Sequence, residues 1–324
     1  MPGITLRPIT LSPPAKHNGF GNLVSLGDSK AMLVYYSKSD RQENTVECLM
    51  LQVCSDGTHT QERVEWPDDY RPFSTFAVAV GENEVWIFTS ECMEGAVVQC
   101  TSIYAYTVDT GVWRVLPWQD EWPKVRECRM HFNLGSKIYF GGDLNDDGEE
   151  YYFYSLDTMT MGWEVMEDMP ENVGYGHAVV IGDTAHIVGG ASFCGIKTHS
   201  TFTQEGGCGE LAPLPFELQT YFSMVIPFDR HIVQIEWKVE RRERIARSQL
   251  HPHTRCYSMV SGEWSDWGID KSIGRQGPKA GCVCRLGPSS ALMICSDRSG
   301  GISTSVIEVD LPPGDETASL ERDL

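Results

Sequence analysis

The segment that decides the fold is RMHFNLGSKIYFGGD at residues 129–143, followed by YYFYSL at 151–156 and WEV at 163–165. Apolar residues alternate with other residues up to the turn at Gly135, and the next three short apolar runs are each bounded by glycine or polar residues. This pattern predicts four consecutive β-strands. A single small sheet cannot bury both of its faces, so the segment requires further copies beside it.

The same pattern recurs along the chain. Residues 176–190 read GHAVVIGDTAHIVGG, which has the same order of strand, turn, strand and glycine pair, and the glycine pairs at 141 and 189 lie 48 residues apart. Trp113 and Trp163 lie 50 residues apart, and Trp264 follows 101 residues after Trp163. The chain is therefore built from repeats of about 50 residues.

A repeat of this length, with four strands, a Gly-Gly pair after the second strand and Tyr and Trp in the third and fourth, resembles the kelch repeat. The resemblance implies an all-β, six-bladed kelch-type β-propeller with four-stranded antiparallel blades. It also implies that the glycines bend the second strand tightly near the axis, and that Tyr and Trp pack between blades. We expect one domain over 1–313, with blades at about 18–69, 71–125, 126–170, 174–216, 220–270 and 278–313.

The two ends of the repeat array are incomplete. Residues 4–11, ITLRPITL, resemble the last strand of a blade, and residues 305–311, SVIEVDL, resemble a third strand with no fourth strand after it. We therefore expect the N-terminal strand to complete the last blade, which closes the ring and removes two exposed sheet edges. Residues 314–324 are polar and acidic, and we expect a disordered tail there.

Charge and hydropathy exclude several classes of partner. The net charge of −19 disfavours nucleic-acid binding, which requires a basic surface. The sequence has no apolar run near 18 residues, so we expect no membrane span, and its first residues lack the features of a signal peptide.

The eleven cysteines do not indicate disulfides or a zinc site. Their number is odd, and most of them lie within predicted strands. Cys282 and Cys284 share one face of a strand, but no second pair follows at the spacing that zinc requires. We expect buried free thiols and a reducing compartment, which is the cytoplasm or, as the alternative, the nucleus.

Kelch propellers bind partners on the face where the loops between the second and third strands meet the loops between blades. The resemblance implies a binding face here that contains Arg71, Ser74, Arg126, Arg129, Tyr175, His177, Tyr221, Trp237, Arg275 and Arg298. Arginines and aromatic residues are the types that dominate recognition surfaces. The insertion Lys238–Arg247 holds five basic and two acidic residues, and we expect it to form one or two exposed helical turns. These turns are either a solvated loop or a contact for an acidic partner or for an acidic loop of a neighbouring blade.

Candidate catalytic residues are few. The sequence contains no phosphate-binding loop, nucleophile elbow or His-Glu-x-x-His motif. His131 and His177 lie in the first strands of successive blades, and together with Glu91, Asp143 or Glu236 they are candidates for an acid/base or metal site in the central channel. No cofactor or bound metal is expected.

The sequence thus favours a protein-interaction or adaptor module that binds a partner segment on its loop face. The alternative is a small-molecule enzyme or a product-directing protein, similar to specifier proteins or cyclases, with its site in the propeller mouth. The Glu-x-x-x-Asp-x-x-x-His pattern of the iron-dependent specifier proteins does not occur.

Overall fold

The structure is a computed structural model, and all of its described residues belong to strands and their connections. It describes residues 3–9, 22–38, 44–54, 58–67, 72, 74–92, 98–119, 122–123, 125, 128–143, 151–166, 176–189, 198–215, 223–240, 249–269, 280–296 and 302–310. These residues form 24 β-strands and, within these ranges, no helix.

Blades I to III each contain four consecutive strands. Blade I consists of β2 (Asn22–Ser25), β3 (Lys30–Lys38), β4 (Asn44–Val53) and β5 (His59–Val64). Blade II consists of β6 (Ser74–Val80), β7 (Glu84–Cys92), β8 (Val98–Thr107) and β9 (Val112–Pro117). Blade III consists of β10 (Cys128–Leu134), β11 (Lys137–Asp143), β12 (Tyr151–Asp157) and β13 (Trp163–Val165).

Blades IV and V continue the series, and blade VI also uses the first strand of the chain. Blade IV consists of β14 (His177–Ile181), β15 (Thr184–Val188), β16 (His199–Thr203) and β17 (Gly207–Glu210). Blade V consists of β18 (Ser223–Phe228), β19 (His231–Glu240), β20 (Gln249–Ser258) and β21 (Glu263–Ile269). Blade VI consists of β22 (Ala280–Arg285), β23 (Ser290–Ser296), β24 (Ile302–Asp310) and β1 (Gly3–Ile9).

The six blades form a closed ring, which confirms the predicted fold class. Neighbouring strands within each blade are antiparallel. The first strands of the blades adjoin one another in the cyclic order β2, β6, β10, β14, β18, β22 and back to β2. They belong to separate hydrogen-bonded ladders, so packing of side chains joins one blade to the next. We call the face at which the second strands end and the third strands begin the upper face.

The N-terminal strand closes the ring as predicted. β1 pairs antiparallel with β24 over seven residues, from Gly3 opposite Asp310 to Ile9 opposite Thr304. Its first two residues also pair in parallel with the end of β21 in blade V. Ile4 of β1 is 3% exposed and belongs to the core shared by blades V and VI. β1 therefore covers the outer edge of the last blade and ties it to the preceding one.

Aromatic residues fill the layers between blades, as the repeat pattern implies. At the interface of blades I and II, the rings of Trp66 and Tyr104 lie 4.5 Å apart, and Trp113 packs against Tyr106 at 4.8 Å. The indole nitrogen of Trp113 donates a hydrogen bond to the backbone oxygen of Glu65 at 3.0 Å. Such ring pairs contribute about 0.5–1.5 kcal/mol each beyond burial, so they stabilise the interface between blades I and II.

One local expectation was wrong, and a second is only partly covered by the described residues. Gly141 and Gly142 do not bend the chain, because β11 continues through them to Asp143. Gly141 instead allows close packing, since a Cβ atom there would lie 2.9 Å from the Cε atom of Met130. The insertion expected to be helical begins as strand, with Lys238 opposite His251 in the β19–β20 ladder. The other residues of the insertion, 241–247, and the predicted tail at 314–324 lie outside the described residues.

Removal of β1 tests the closure. Deleting residues 1–11 strips a whole strand from blade VI and exposes the edges of β24 and β21, so we expect a melting temperature lower by about 10 °C or more. Thr5→Ala is the control, because Thr5 lies on the same strand with an exposed side chain. Calorimetry of both chains checks the expectation, and an unchanged melting temperature of the shortened chain contradicts it.

Candidate functional site between blades IV and V

Buried polar side chains are concentrated in two blades. Twelve polar or charged residues are buried in the described part of the chain, and eight of them belong to blades IV and V: His186, His199, Ser200, Ser223, Gln234, Glu236, Thr254 and Arg255. Burial of a polar group lowers stability unless the group is paired, and burial of a charge does so more strongly. This concentration therefore distinguishes blades IV and V from the rest of the ring.

Blade V breaks a rule that the other blades follow. Counted from the turn between the first two strands, the position of Gln234 holds Leu33, Ile87, Phe140, Ile187 and Met293 in the other blades. In the other blades, the position of Glu236 holds Tyr35, Thr89, Gly142, Gly189 and Cys295. The position of Arg255, which lies opposite Gln234 on the third strand, holds Leu49, Tyr104, Tyr154, Ser200 and Ser305. Only blade V places charged residues at these positions.

These blade V residues form one connected network. The Arg255 Nη1 atom donates hydrogen bonds to Glu236 Oε2 at 3.0 Å and to Gln234 Oε1 at 3.2 Å. The Glu236 side chain is fully buried, and that of Arg255 is 8% exposed. Arg255 Nε also lies 3.4 Å from an oxygen of Asp266, whose side chain is exposed on the outermost strand. The network therefore runs across blade V from the second strand to its outer edge.

A contact between blades extends this network toward the axis. His177 Nε2 and Ser223 Oγ lie 2.9 Å apart, and these are the first residues of the innermost strands β14 and β18. Ser223 pairs directly with Glu236, so the two side chains share the blade V face that packs against blade IV. We call His177, Ser223, Gln234, Glu236 and Arg255 the polar seam. It reaches the upper face at His177, which is partly exposed.

A histidine pair lies beside the seam within the same layer. His186 Nδ1 and His199 Nε2 are 3.2 Å apart, and the His199 ring packs on Tyr257 at 4.6 Å. Burial lowers the pKa of His186 to about 4, and burial together with the neighbouring His186 lowers the pKa of His199 to about 3. Both rings are therefore neutral at pH 7, and one of them donates a hydrogen bond to the other.

The structure brings together two of the predicted catalytic candidates, His177 and Glu236, on either side of Ser223. His131 lies elsewhere, against Phe76 at 5.1 Å and hydrogen-bonded to the backbone of Ala77, and burial lowers its pKa to about 4. It thus links blade III to blade II.

The remaining candidates lie at strand ends or outside the description. Glu91 is partly exposed near the end of β7, opposite Gln99. Only the backbone is described for four others that lie in strands near the upper face: Ser74, Arg129, Asp143 and Trp237. Six predicted binding residues lie outside the described residues: Arg71, Arg126, Tyr175, Tyr221, Arg275 and Arg298.

Ser223, Gln234 and Arg255 were not predicted from the sequence as site residues. The run IVQIE at 232–236 contains a signal for Gln234, because polar residues alternate there with apolar ones in a strand that is buried on both faces. A strand in that position is expected to be apolar throughout, so the alternation marks one polar face. Arg255 becomes visible only once the pairing of β19 with β20 is known.

The described residues contain no group of three or more His, Cys, Asp or Glu side chains arranged to hold a metal ion. The nine cysteines whose side chains are described are free thiols. Burial raises the pKa of Cys48, Cys100 and Cys256 to about 12, so these thiols stay protonated and unreactive at neutral pH.

Comparison with known proteins supports the fold. A solved structure described as "Structure of YjhT" superposes with a TM-score of 0.61 over 92% of this chain and 99% of that chain, at 14% sequence identity. The shared feature is the propeller fold alone. No family model and no curated protein matches the sequence. In the described ranges, no helix is long and apolar enough to cross a membrane.

The buried ion pair gives a first test of the seam. Glu236→Gln removes the buried carboxylate that pairs with Arg255 and leaves this buried charge less well compensated, so we expect the free energy of unfolding to fall by about 3 kcal/mol. The double variant Glu236→Tyr/Arg255→Leu copies Tyr35 and Leu49 of blade I, and we expect it to recover most of that loss. Urea denaturation measures both variants, and a double variant less stable than Glu236→Gln contradicts the expectation.

The histidine pair predicts acid sensitivity. The folded pKa values of His186 and His199 lie below the ordinary value of 6.5, so the unfolded chain binds more protons below pH 6.5. Their contribution to stability is complete above pH 6.5 and is lost as the pH falls toward 4, by about 2 kcal/mol for each histidine at pH 5. The variant His186→Met/His199→Cys copies Met32 and Cys48 of blade I. We expect urea denaturation to show a smaller loss of stability between pH 7 and pH 5 for this variant than for the native chain; equal losses contradict the assignment.

Proposed function

We propose that this protein is a kelch-type propeller that acts as an interaction module, binding an acidic segment of a partner protein at the upper face of blade V. The single observation that carries the proposal is the length of the hairpin at this point. The β19–β20 ladder has ten residue pairs, whereas the corresponding ladders of the other blades have nine, nine, seven, four and seven.

The long ladder supports a defined position for the basic insertion. Pairing continues to Glu240 opposite Gln249, so residues 241–248 connect two paired strands at the upper face. That connection reads RRERIARS, with four arginines, in a chain whose net charge is −19. A local positive charge on an acidic protein attracts an acidic segment and repels basic ones, which gives both affinity and selectivity.

The polar seam supports the base of this hairpin. Arg255 and Glu236 lie on the two strands that continue into the insertion, and their ion pair joins the strands four residues before the ladder ends at Glu240. Arginine also forms paired hydrogen bonds with carboxylate and phosphate groups, so an acidic or phosphorylated peptide fits the connection. We place this activity in a reducing compartment, the cytoplasm or nucleus, in keeping with the free thiols.

A pull-down from cell extract tests the proposal. The variant Arg241→Glu/Arg244→Glu changes the charge of the insertion by four units, and we expect captured acidic partners to fall at least about tenfold in mass-spectrometric abundance. Raising the salt concentration weakens the native interaction in the same direction.

The matched control is Arg230→Glu/Arg63→Glu. Arg230 lies in the turn at the opposite end of blade V, and Arg63 lies on the outer strand of blade I, with both side chains exposed. This control makes the same change in net charge away from the upper face of blade V. The proposal is wrong if both double variants lose the same partners to the same extent, because the effect then reflects net charge alone.

A further inference from the structure

We propose that Ser223 is a nucleophile activated by His177, and that the pair accepts an acyl group from a carboxylic ester at the upper end of the polar seam. This inference is independent of the interaction proposed above, because it concerns the innermost strands and not the insertion. It stands on the geometry of the seam and on the position of that seam in the ring.

Ser223 and His177 are in direct contact. Ser223 Oγ lies 2.9 Å from His177 Nε2, within the distance for transfer of a proton between a nucleophile and its base. Both residues begin the innermost strand of their blade, where the chain enters from the upper face. His177 is partly exposed and Ser223 is 7% exposed, so the pair is sheltered but remains partly open to solvent at His177.

The corresponding contact between blades I and II is a purely structural link. Asn22 occupies the place of His177 and donates from Nδ2 to the backbone oxygen of Thr75 at 2.9 Å. Thr75 occupies the place of Ser223, opposite Thr89, where blade V has Glu236. An amide bonded to a backbone oxygen holds two blades together, but it cannot remove a proton. Blades IV and V instead join an imidazole to a hydroxyl.

The buried charge of the seam gives the pair a second property. Glu236 pairs directly with Ser223 across the ladder, which places the two Cβ atoms about 4.5–5.5 Å apart. Arg255 Nη1 donates a hydrogen bond to Glu236 at 3.0 Å. A carboxylate in this place stabilises the imidazolium that forms when His177 takes the proton, so Glu236 acts as a positioning and electrostatic residue. A structural tether needs no such charge, and at the interface of blades I and II the corresponding position holds Thr89.

The reaction balances without any cofactor. With the Nδ1 tautomer of His177, the Ser223 hydroxyl donates to Nε2, its oxygen forms a bond to the ester carbonyl carbon, and the proton passes to His177. The bond from that carbon to the alcohol oxygen then breaks, and the leaving alcohol takes the proton from His177. Water repeats the two steps and releases the carboxylic acid.

The test uses the full chain and two probes, an alkyl fluorophosphonate and 4-nitrophenyl acetate. The fluorophosphonate forms an oxygen–phosphorus bond and releases fluoride, so one adduct on Ser223 is expected by intact mass and peptide mapping. His177→Asn copies the tether of blade I, and we expect a melting temperature close to that of the native chain but a labelling rate lower by about 100-fold. Thr75→Ala is the control at the matching position, with an unchanged labelling rate.

The chain of native sequence, unfolded in urea, gives the labelling rate of a serine that is not activated. The proposal holds if the folded chain labels at Ser223 far faster than the unfolded chain, releases 4-nitrophenol, and loses both reactions in Ser223→Ala. It is overturned if folded and unfolded chains react equally, if the adduct lies on another residue, or if His177→Asn labels as fast as the native chain. In the last case the pair is only a tether.

Discussion

The structure depends on one constraint: in the described part of the chain, the innermost strands of neighbouring blades share no backbone ladder. Each ladder ends within its blade, except where β1 joins blades V and VI, so side-chain packing must join the six innermost strands around the axis. Aromatic residues fill most of this space, as Phe76, Phe88 and Phe140 do between blades II and III at ring separations of 4.6–5.7 Å. Any polar residue placed in a layer between blades therefore lowers stability unless it is paired there.

The layer between blades IV and V departs from this scheme. It contains an ion pair, a histidine pair and the contact between His177 and Ser223, where the other blades have mainly apolar or small residues. A buried ion pair is weak evidence for stability, because desolvation offsets the attraction. Departures from a repeated packing rule are expected where function requires them. The position of the seam, from the innermost strand to the outer edge of one blade, is consistent with a role at the upper face.

Other inner-strand polar residues have a simpler role. Asn133 donates to the backbone oxygen of Ala79, and His131 bonds to the backbone of Ala77, so both link β10 to β6 across the layer between blades II and III. Such links satisfy buried polar groups and align neighbouring strands. They explain why a histidine in a first strand is by itself a poor guide to a site, since His131 and His177 look alike in sequence.

The sequence by itself determined the all-β class, the repeat of about 50 residues, the six blades and the closing N-terminal strand, because alternation and glycine turns are local signals that recur in every copy. It also singled out His177 and Glu236. Only the tertiary structure decided that these two residues meet around Ser223 and that Arg255 neutralises the buried carboxylate. Those contacts depend on strand register and on which face of blade V meets blade IV. A shift of one residue would turn every side chain to the other face. In a strand that is buried on both faces, the sequence does not say which face meets blade IV.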